Sequence, residues 1–327
     1  FYELALKVSG AVQAARWTSI PEGGYIYSFN GPHSLFVDTV RSLRVLAVGH
    51  QLGHSLMGEK DRKISLLERL VQHAQSTAEY CIYYGEGRDH YDIRGRTAHE
   101  SIFNLNDGSY RCPSSQQGYS PFSTWTRGLA WAICGYSEQL EFLMTLKDTD
   151  LKPFGGRKKL NAMMLRAAKA TADFYIQNSC VDGIPIWDTG APNIHCMRGY
   201  LTKRSNPNNN YEPVDSSAAS IAAQGLIRLG NYLVDSGEKS AGSKYRQAGL
   251  TVAATLLDKP YLSTESKHQG LVLHSIYHRP NGWDYVPRGK KIPFGESSMW
   301  GDYHARELAL MLLREARGEC YMTFFDY

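Results

Sequence analysis

The chain has 327 residues, 43% hydrophobic and 21% charged, which excludes a disordered or fibrous protein and leaves room for one large domain or two ordinary ones. Its 36 Lys+Arg against 32 Asp+Glu give a net charge of +4. The densest basic run, Arg288, Lys290 and Lys291, is too short for a nucleic-acid surface, and no segment approaches the roughly 18 apolar residues of a membrane span. Neither a nucleic acid nor a membrane is therefore expected as a partner.

Helical periodicity dominates the chain. Apolar residues recur at three- and four-residue steps over 1–15, 38–56 and 62–85, then over 124–146 and 157–179, and again over 216–235, 239–258 and 298–317. These eight predicted helices carry small residues mid-length, such as Gly135, Ala218, Ala222, Gly225 and Ala253, so close helix–helix approach is expected. The connectors 16–37, 86–123, 180–214 and 259–297 are rich in Gly, Pro and Asn and far longer than the usual link of about 4–6 residues. Long loops on regular helices are where function tends to sit. No repeat, low-complexity stretch or Pro/Ser linker divides the chain, so one domain over 1–327 is expected. The fold class is all-α.

Six cysteines (Cys81, Cys112, Cys134, Cys180, Cys196, Cys320) lie scattered without a C-x-x-C, which predicts mostly free thiols without fixing the compartment. The chain opens on Phe1 with no signal peptide of its own. A leader or longer N-terminal segment is expected outside it, and cytoplasm and periplasm both stay open.

The most informative stretch is SPFSTWTRGLAWA, 120–132. Ser123 and Thr124 offer caps for a helix whose first turns hold Trp125, Arg127, Gly128 and Trp131. At that spacing all of them cannot enter an apolar core without burying a charge. Arg127 therefore needs either an internal carboxylate, with Asp215 and Asp302 the candidates, or a ligand. Asp38 and Asp215 each precede a helical run and read most simply as N-caps. His99 stands ahead of a predicted hairpin whose turn is Asn106-Asp107-Gly108. The segment PIWDTGAPNIHC gathers Trp187, Asp188 and His195, and SMWGDYHARE repeats a Trp-plus-carboxylate theme with Trp300 and Asp302.

Metal and cofactor signals are weak. His50/His54 and His274/His278 are four apart and could each share a helix face, but neither has the accompanying Glu of H-E-x-x-H. No G-x-G-x-x-G, P-loop or G-x-S-x-G occurs. No metal or cofactor is expected.

STWTRGLAWAICGY, WD in DGIPIWD, VDSSAASIAAQGL and WGDY at 300–303, taken in that order with VDTVRSLRVLA at 37–47, resemble the unsaturated glucuronyl hydrolases, glycoside hydrolase family 88, and more distantly the unsaturated rhamnogalacturonyl hydrolases of family 105. The resemblance covers essentially the whole chain. It implies an (α/α)6 barrel-like toroid with a deep pocket at one end. It also implies that Asp38 is the catalytic aspartate and that His99, 26 residues before Trp125, is an active-site histidine. Trp125, Arg127, Trp131, Trp187, Asp215 and Trp300 become substrate-binding positions, with Arg127 suited to a carboxylate or hydroxyl.

The implied substrate is an oligosaccharide ending in a 4,5-unsaturated uronic acid, the product of a polysaccharide lyase. Such a sugar is a vinyl ether, so the implied reaction is hydration of the double bond and not the two-carboxylate displacement of ordinary glycosidases. Two departures stand out. Family members carry Asp-Gly ahead of Ser-Thr-Trp where this chain has Pro121-Phe122, which predicts a reshaped subsite wall. They also extend further ahead of the point matching Phe1, with an aromatic and a second aspartate, and the barrel needs twelve helices. Either those N-terminal helices lie outside this chain, or the barrel closes differently. Two other functions fit the residues: a polysaccharide lyase with His99 or Tyr119 as base, and a non-catalytic sugar-binding relative. The parent polysaccharide, its sulfation and the oligomeric state leave no mark in the sequence.

Overall fold

The computed structural model describes residues 1–325. Nine α-helices are found among them: α1 (Tyr2–Ala15), α2 (Leu43–Gln51), α3 (Leu66–Tyr80), α4 (Thr126–Thr145), the single turn α5 (Asp148–Leu151), α6 (Gly156–Asn178), α7 (Ser216–Asp235), α8 (Lys239–Leu256) and α9 (Met299–Ala316). Each of the eight expected helices is present. α4 is buried on every side from Thr126 to Leu143, and α7 from Ser216 to Gly230. A helix apolar all round belongs at the centre of a large protein. α6 packs on α4, α8 on α7, and α1 and α3 on α2, while α2, α4, α7 and α9 follow one another as neighbours. Inner and outer helices thus alternate along the chain, the arrangement of an α/α toroid.

The small residues explain the tight central packing. A Cβ added at Gly225 of α7 would stand 2.6 Å from the Cys134 backbone nitrogen of α4, so only glycine permits that crossing. Polar side chains join the inner layer where apolar ones cannot. Arg44 of α2 reaches Glu138 of α4 and Glu307 of α9, and Arg228 of α7, wholly buried, pairs with Glu141 of α4 at 2.8 Å.

The helical periodicity overreached in three places, one of them the end of the 62–85 run, where α3 stops at Tyr80. The 38–56 run begins as a 3-10 helix (Val37–Ser42) and its α-helix stops at Gln51, because Gly53 takes φ +74°. Residues 55–57 then pair as β4 (Ser55–Met57) with β5 (Lys63–Ser65). α3 starts only at Leu66, where the Ser65 hydroxyl accepts from the Glu68 amide, half of an S-x-x-E capping box. The α-helical fold class holds, and seven short strands among the described residues lie in or beside the connectors. β1 (Trp17–Ile20) pairs with β2 (Gly23–Ile26), and β3 (Ser34–Phe36), β6 (Glu100–Phe103) and β7 (Tyr110–Ser114) form one antiparallel sheet in the order β3-β6-β7. The β6–β7 turn is the expected one: Gly108 has φ +74°, and the Asp107 carboxylate accepts from the Ser109 amide. All six cysteines are free. Among the described residues no helix is long and apolar enough to cross a membrane, and no group of His, Cys, Asp and Glu could hold a metal ion. His274 and His278 lie in a loop, and His54 falls beyond the end of α2, so neither histidine pair shares a helix face.

Candidate active site

The β3–β6 register builds the centre of the site. Phe36 stands opposite Glu100, and the Val37 amide donates to the His99 carbonyl at 2.9 Å. Asp38, one residue further on, is therefore brought beside His99 from a distant part of the chain. Asp38 lies inside the 3-10 turn and makes no capping bond, so the N-cap alternative is set aside for it. Its Oδ1 is buried without a hydrogen-bond partner, and its Oδ2 accepts from Arg41 at 3.3 Å.

His99 is buried between the rings of Phe36 and Trp125, with centroids 4.8 and 4.6 Å away. Its Nδ1 accepts from the amides of Gln116 and Gln117 at 3.0 and 3.2 Å. These two donors assign the proton to Nε2. Nε2 is itself buried and unpartnered, 3.9 Å from Asp38 Oδ1. Burial pushes the imidazole down to about 4, against the pull of Asp38 and Glu100, so His99 is neutral and presents an N–H. A buried donor and a buried acceptor thus face each other across a gap too wide for a hydrogen bond. Buried polar groups left this way are costly and rare, and a ligand hydroxyl or water between them would satisfy both.

A cavity of about 280 Å³ opens on Asp38, lined by Ser28, Phe29, Asp38, Arg41, Gln117, Trp125, Arg127, Trp131, Tyr277 and Trp300; His99, buried beside Asp38, does not itself line it. Four sequence-predicted positions besides Asp38 line it: Trp125, Arg127, Trp131 and Trp300. α4 supplies Arg127 and Trp131 from its first turns, with Trp125 just ahead. Neither Ser123 nor Thr124 caps the helix. The Thr124 hydroxyl accepts instead from the Thr97 amide, and the Trp187 carbonyl takes the Thr126 amide.

Arg127 has internal partners. It donates to the Ile276 carbonyl, to the Tyr277 carbonyl at 2.7 Å and to Gln117 Oε1 at 2.8 Å, and approaches Asp215 Oδ2 at 3.5 Å. Its guanidinium is stacked between Trp125 and Trp300, 4.6 and 4.8 Å from their rings. It therefore pins the 276–277 segment to the wall. Asp215, wholly buried, caps α7 through the Ser217 amide at 3.0 Å. Burial pushes its carboxyl up while Arg127 pulls it down. Asp302 serves elsewhere, accepting from the amides of Leu271 and Val272.

Trp187 and His195 are not brought to the cavity. The Trp187 indole is buried and donates to Glu212 at 2.9 Å, and His195 lies exposed on a separate turn. Asp188, next in sequence, holds the Tyr119 amide at 2.8 Å and the Gly190 amide at 2.8 Å. Desolvation raises it to about 6. It ties down the turn whose Gln116 and Gln117 amides orient His99.

Sequence reasoning missed Ser28, Phe29, Arg41, Gln117 and Tyr277. Arg41 was within reach, since it follows Asp38 by three residues on a helical turn. Nothing in the sequence marks the others, because the loops that carry them meet only in space.

No protein-family model matches the chain. It is 26% identical to an unsaturated glucuronyl hydrolase of Formosa agariphila over 239 residues, 72% of this chain and 46% of that protein. It superposes on the crystal structure of the unsaturated glucuronyl hydrolase from Bacillus sp. GL1 with TM-score 0.68 and 21% identity, over 98% of this chain and 69% of that one. The chain resembles the unsaturated glucuronyl hydrolases. A further structure, a variant of the unsaturated glucuronyl hydrolase of Streptococcus agalactiae complexed with dGlcA-GalNAc6S, superposes with TM-score 0.57 and 18% identity over 88% of this chain and 60% of that one. The α/α toroid is the fold these proteins share with this chain. The chain spans about half the length of the curated relatives it matches.

Proposed function

We propose that this chain is a single catalytic domain of a glycoside hydrolase that removes a 4,5-unsaturated uronic acid from the non-reducing end of lyase-generated oligosaccharides. The observation that carries the reading is the 3.9 Å gap between Asp38 Oδ1 and His99 Nε2, both buried and unpartnered, with Asp38 in the wall of an aromatic cavity. Asp38 in its acid form protonates C4, and positive charge develops at C5, shared with the ring oxygen. Water adds at C5 and gives a proton back to Asp38, which restores the acid. The hemiketal at C5 opens to a ketone, leaving C1 as the hemiacetal of the second sugar, and its collapse frees that sugar. General acid–base assistance of this kind contributes roughly 10²–10⁴-fold.

His99 donates Nε2–H to the sugar or to the incoming water, and its neutrality keeps a second positive charge away from C5. Trp125, Trp131 and Trp300 supply flat apolar walls for a sugar ring. Arg127 and Asp215 hold those walls in place. A lyase with His99 as base is disfavoured, because Nδ1 is taken by the Gln116 and Gln117 amides and Nε2 carries the proton. Tyr119 does not line the cavity.

The reaction class is tested by ultraviolet absorbance of the conjugated double bond together with reducing-end release. A hydrolase consumes the absorbance of an unsaturated disaccharide as reducing ends appear. A rise in absorbance on intact polysaccharide makes the protein a lyase. Binding without either change makes it a non-catalytic sugar-binding protein.

A further inference from the structure

Two guanidinium groups line the cavity, and they differ in what their donors already do. Arg127 is buried, and both of its terminal nitrogens are taken by the Ile276 and Tyr277 carbonyls, Gln117 and Asp215. Arg41 projects from the 3-10 turn with 53% of its side chain exposed, and among the described residues its hydrogen bonding is one contact at 3.3 Å, from Nη1 to Asp38 Oδ2. Its guanidinium lies 5.1 Å from the centre of the Trp131 ring, and its Nη2 and Nε edge has no hydrogen-bond partner among the described residues. A guanidinium has five N–H donors in a fork that matches a carboxylate. Arg44, one turn further along, is held by Glu138, Glu307 and Tyr303 and has no such freedom.

We infer that Arg41, and not Arg127, is the anion receptor of the cavity, binding the uronate carboxylate of the substrate through its free edge. The inference rests on the proposed hydrolase reading and deepens it. Because Nη1 already touches Asp38, a carboxylate seated on Arg41 lies within one guanidinium width of the catalytic oxygen, and the double bond next to that carboxylate is delivered to Asp38. A second consequence follows from the weak 3.3 Å contact. As Arg41 turns its fork to the substrate, Oδ2 loses its partner and both Asp38 oxygens become available to the proton transfers. Recognition of the acid and readiness of Asp38 are then one event.

The test compares an unsaturated uronyl disaccharide with its uronyl methyl ester, using the unsubstituted protein, Arg41→Gln and Arg41→Lys. A charge-assisted bidentate contact predicts that the unsubstituted protein favours the acid by about 10–100-fold in kcat/KM. Arg41→Gln should lose that preference mainly through a higher KM for the acid, and Arg41→Lys should restore part of it, since a lysine keeps the charge without the fork. Equal losses on acid and ester would overturn the inference and reduce Arg41 to a residue that acts through Asp38; so would an unchanged preference. If the unsubstituted protein turns over neither compound, the hydrolase reading fails by itself. Calorimetric binding of acid and ester to the protein and to Arg41→Gln then decides the receptor question, since the same loss of acid preference is required.

Discussion

Replacing Arg127 with methionine removes a charge that the fold uses internally, and the size of the loss can be worked from its partners. Asp215 is wholly buried and would keep its bonds from Ser217 and Ile276 but lose its cation. Breaking a buried ion pair from one side costs about 3–5 kcal/mol, because the remaining charge stays in the interior. The Ile276 and Tyr277 carbonyls also lose their donor, at about 1 kcal/mol each where water cannot replace it. Methionine refills much of the space between Trp125 and Trp300, so the total should be about 4–6 kcal/mol in urea unfolding, a large part of the usual 5–15 kcal/mol of a whole domain. Adding Asp215→Asn removes the stranded charge while keeping an oxygen for the Ser217 amide. The double variant should therefore be about 2–3 kcal/mol more stable than the sum of the single changes predicts. A cost below about 1.5 kcal/mol for Arg127→Met, or a strictly additive cycle, would refute the reasoning. Arg127 would then be a group poised for a ligand and not a strut.

Burial also governs the response to acid. His73 lies in the core, accepts from the Ile26 amide at 3.1 Å, and is pushed down to about 3 by desolvation. Its folded value lies below its unfolded one, so the unfolded chain takes up the proton first and the stability due to the neutral ring is lost as pH falls below about 6.5. His73→Asn, which offers Oδ1 in place of Nδ1, should reduce the loss of unfolding free energy between about pH 7 and about pH 5 by about 2 kcal/mol; an unchanged pH dependence would contradict this. Gly225→Ala should destabilise by about 1–3 kcal/mol in thermal unfolding by forcing α4 and α7 apart, and a neutral result would mean that the crossing is not limited by that contact.

The helices were legible because their apolar period survives any tertiary context, and the small residues of α4 and α7 announced a close crossing. The segment between α2 and α3 was misread because its apolar residues continue the helical rhythm through Gly53 and Ser65, where backbone conformation and capping overrule it. Within the site, Trp125, Arg127 and Trp131 share one helix start, so a single stretch exposed them. Asp38 and His99 come together through strand register, and their spacing in the chain says nothing of it. Trp187 illustrates the opposite limit. Its motif sits beside the site through Asp188, yet strand-like pairing of 186 with 214 turns the indole to Glu212. The role of Arg127 was open in the sequence between ligand and internal partner, and the backbone carbonyls that hold it belong to a loop with no recognisable signature.

The most direct measurement is the rate of ultraviolet absorbance loss from an unsaturated glucuronyl disaccharide with the unsubstituted protein and with Asp38→Asn. Asparagine keeps the size and an oxygen but can neither give nor take the proton, so turnover should fall by at least about 10²-fold while disaccharide binding persists. A near-normal rate in Asp38→Asn would contradict the account and move the chemistry to another residue.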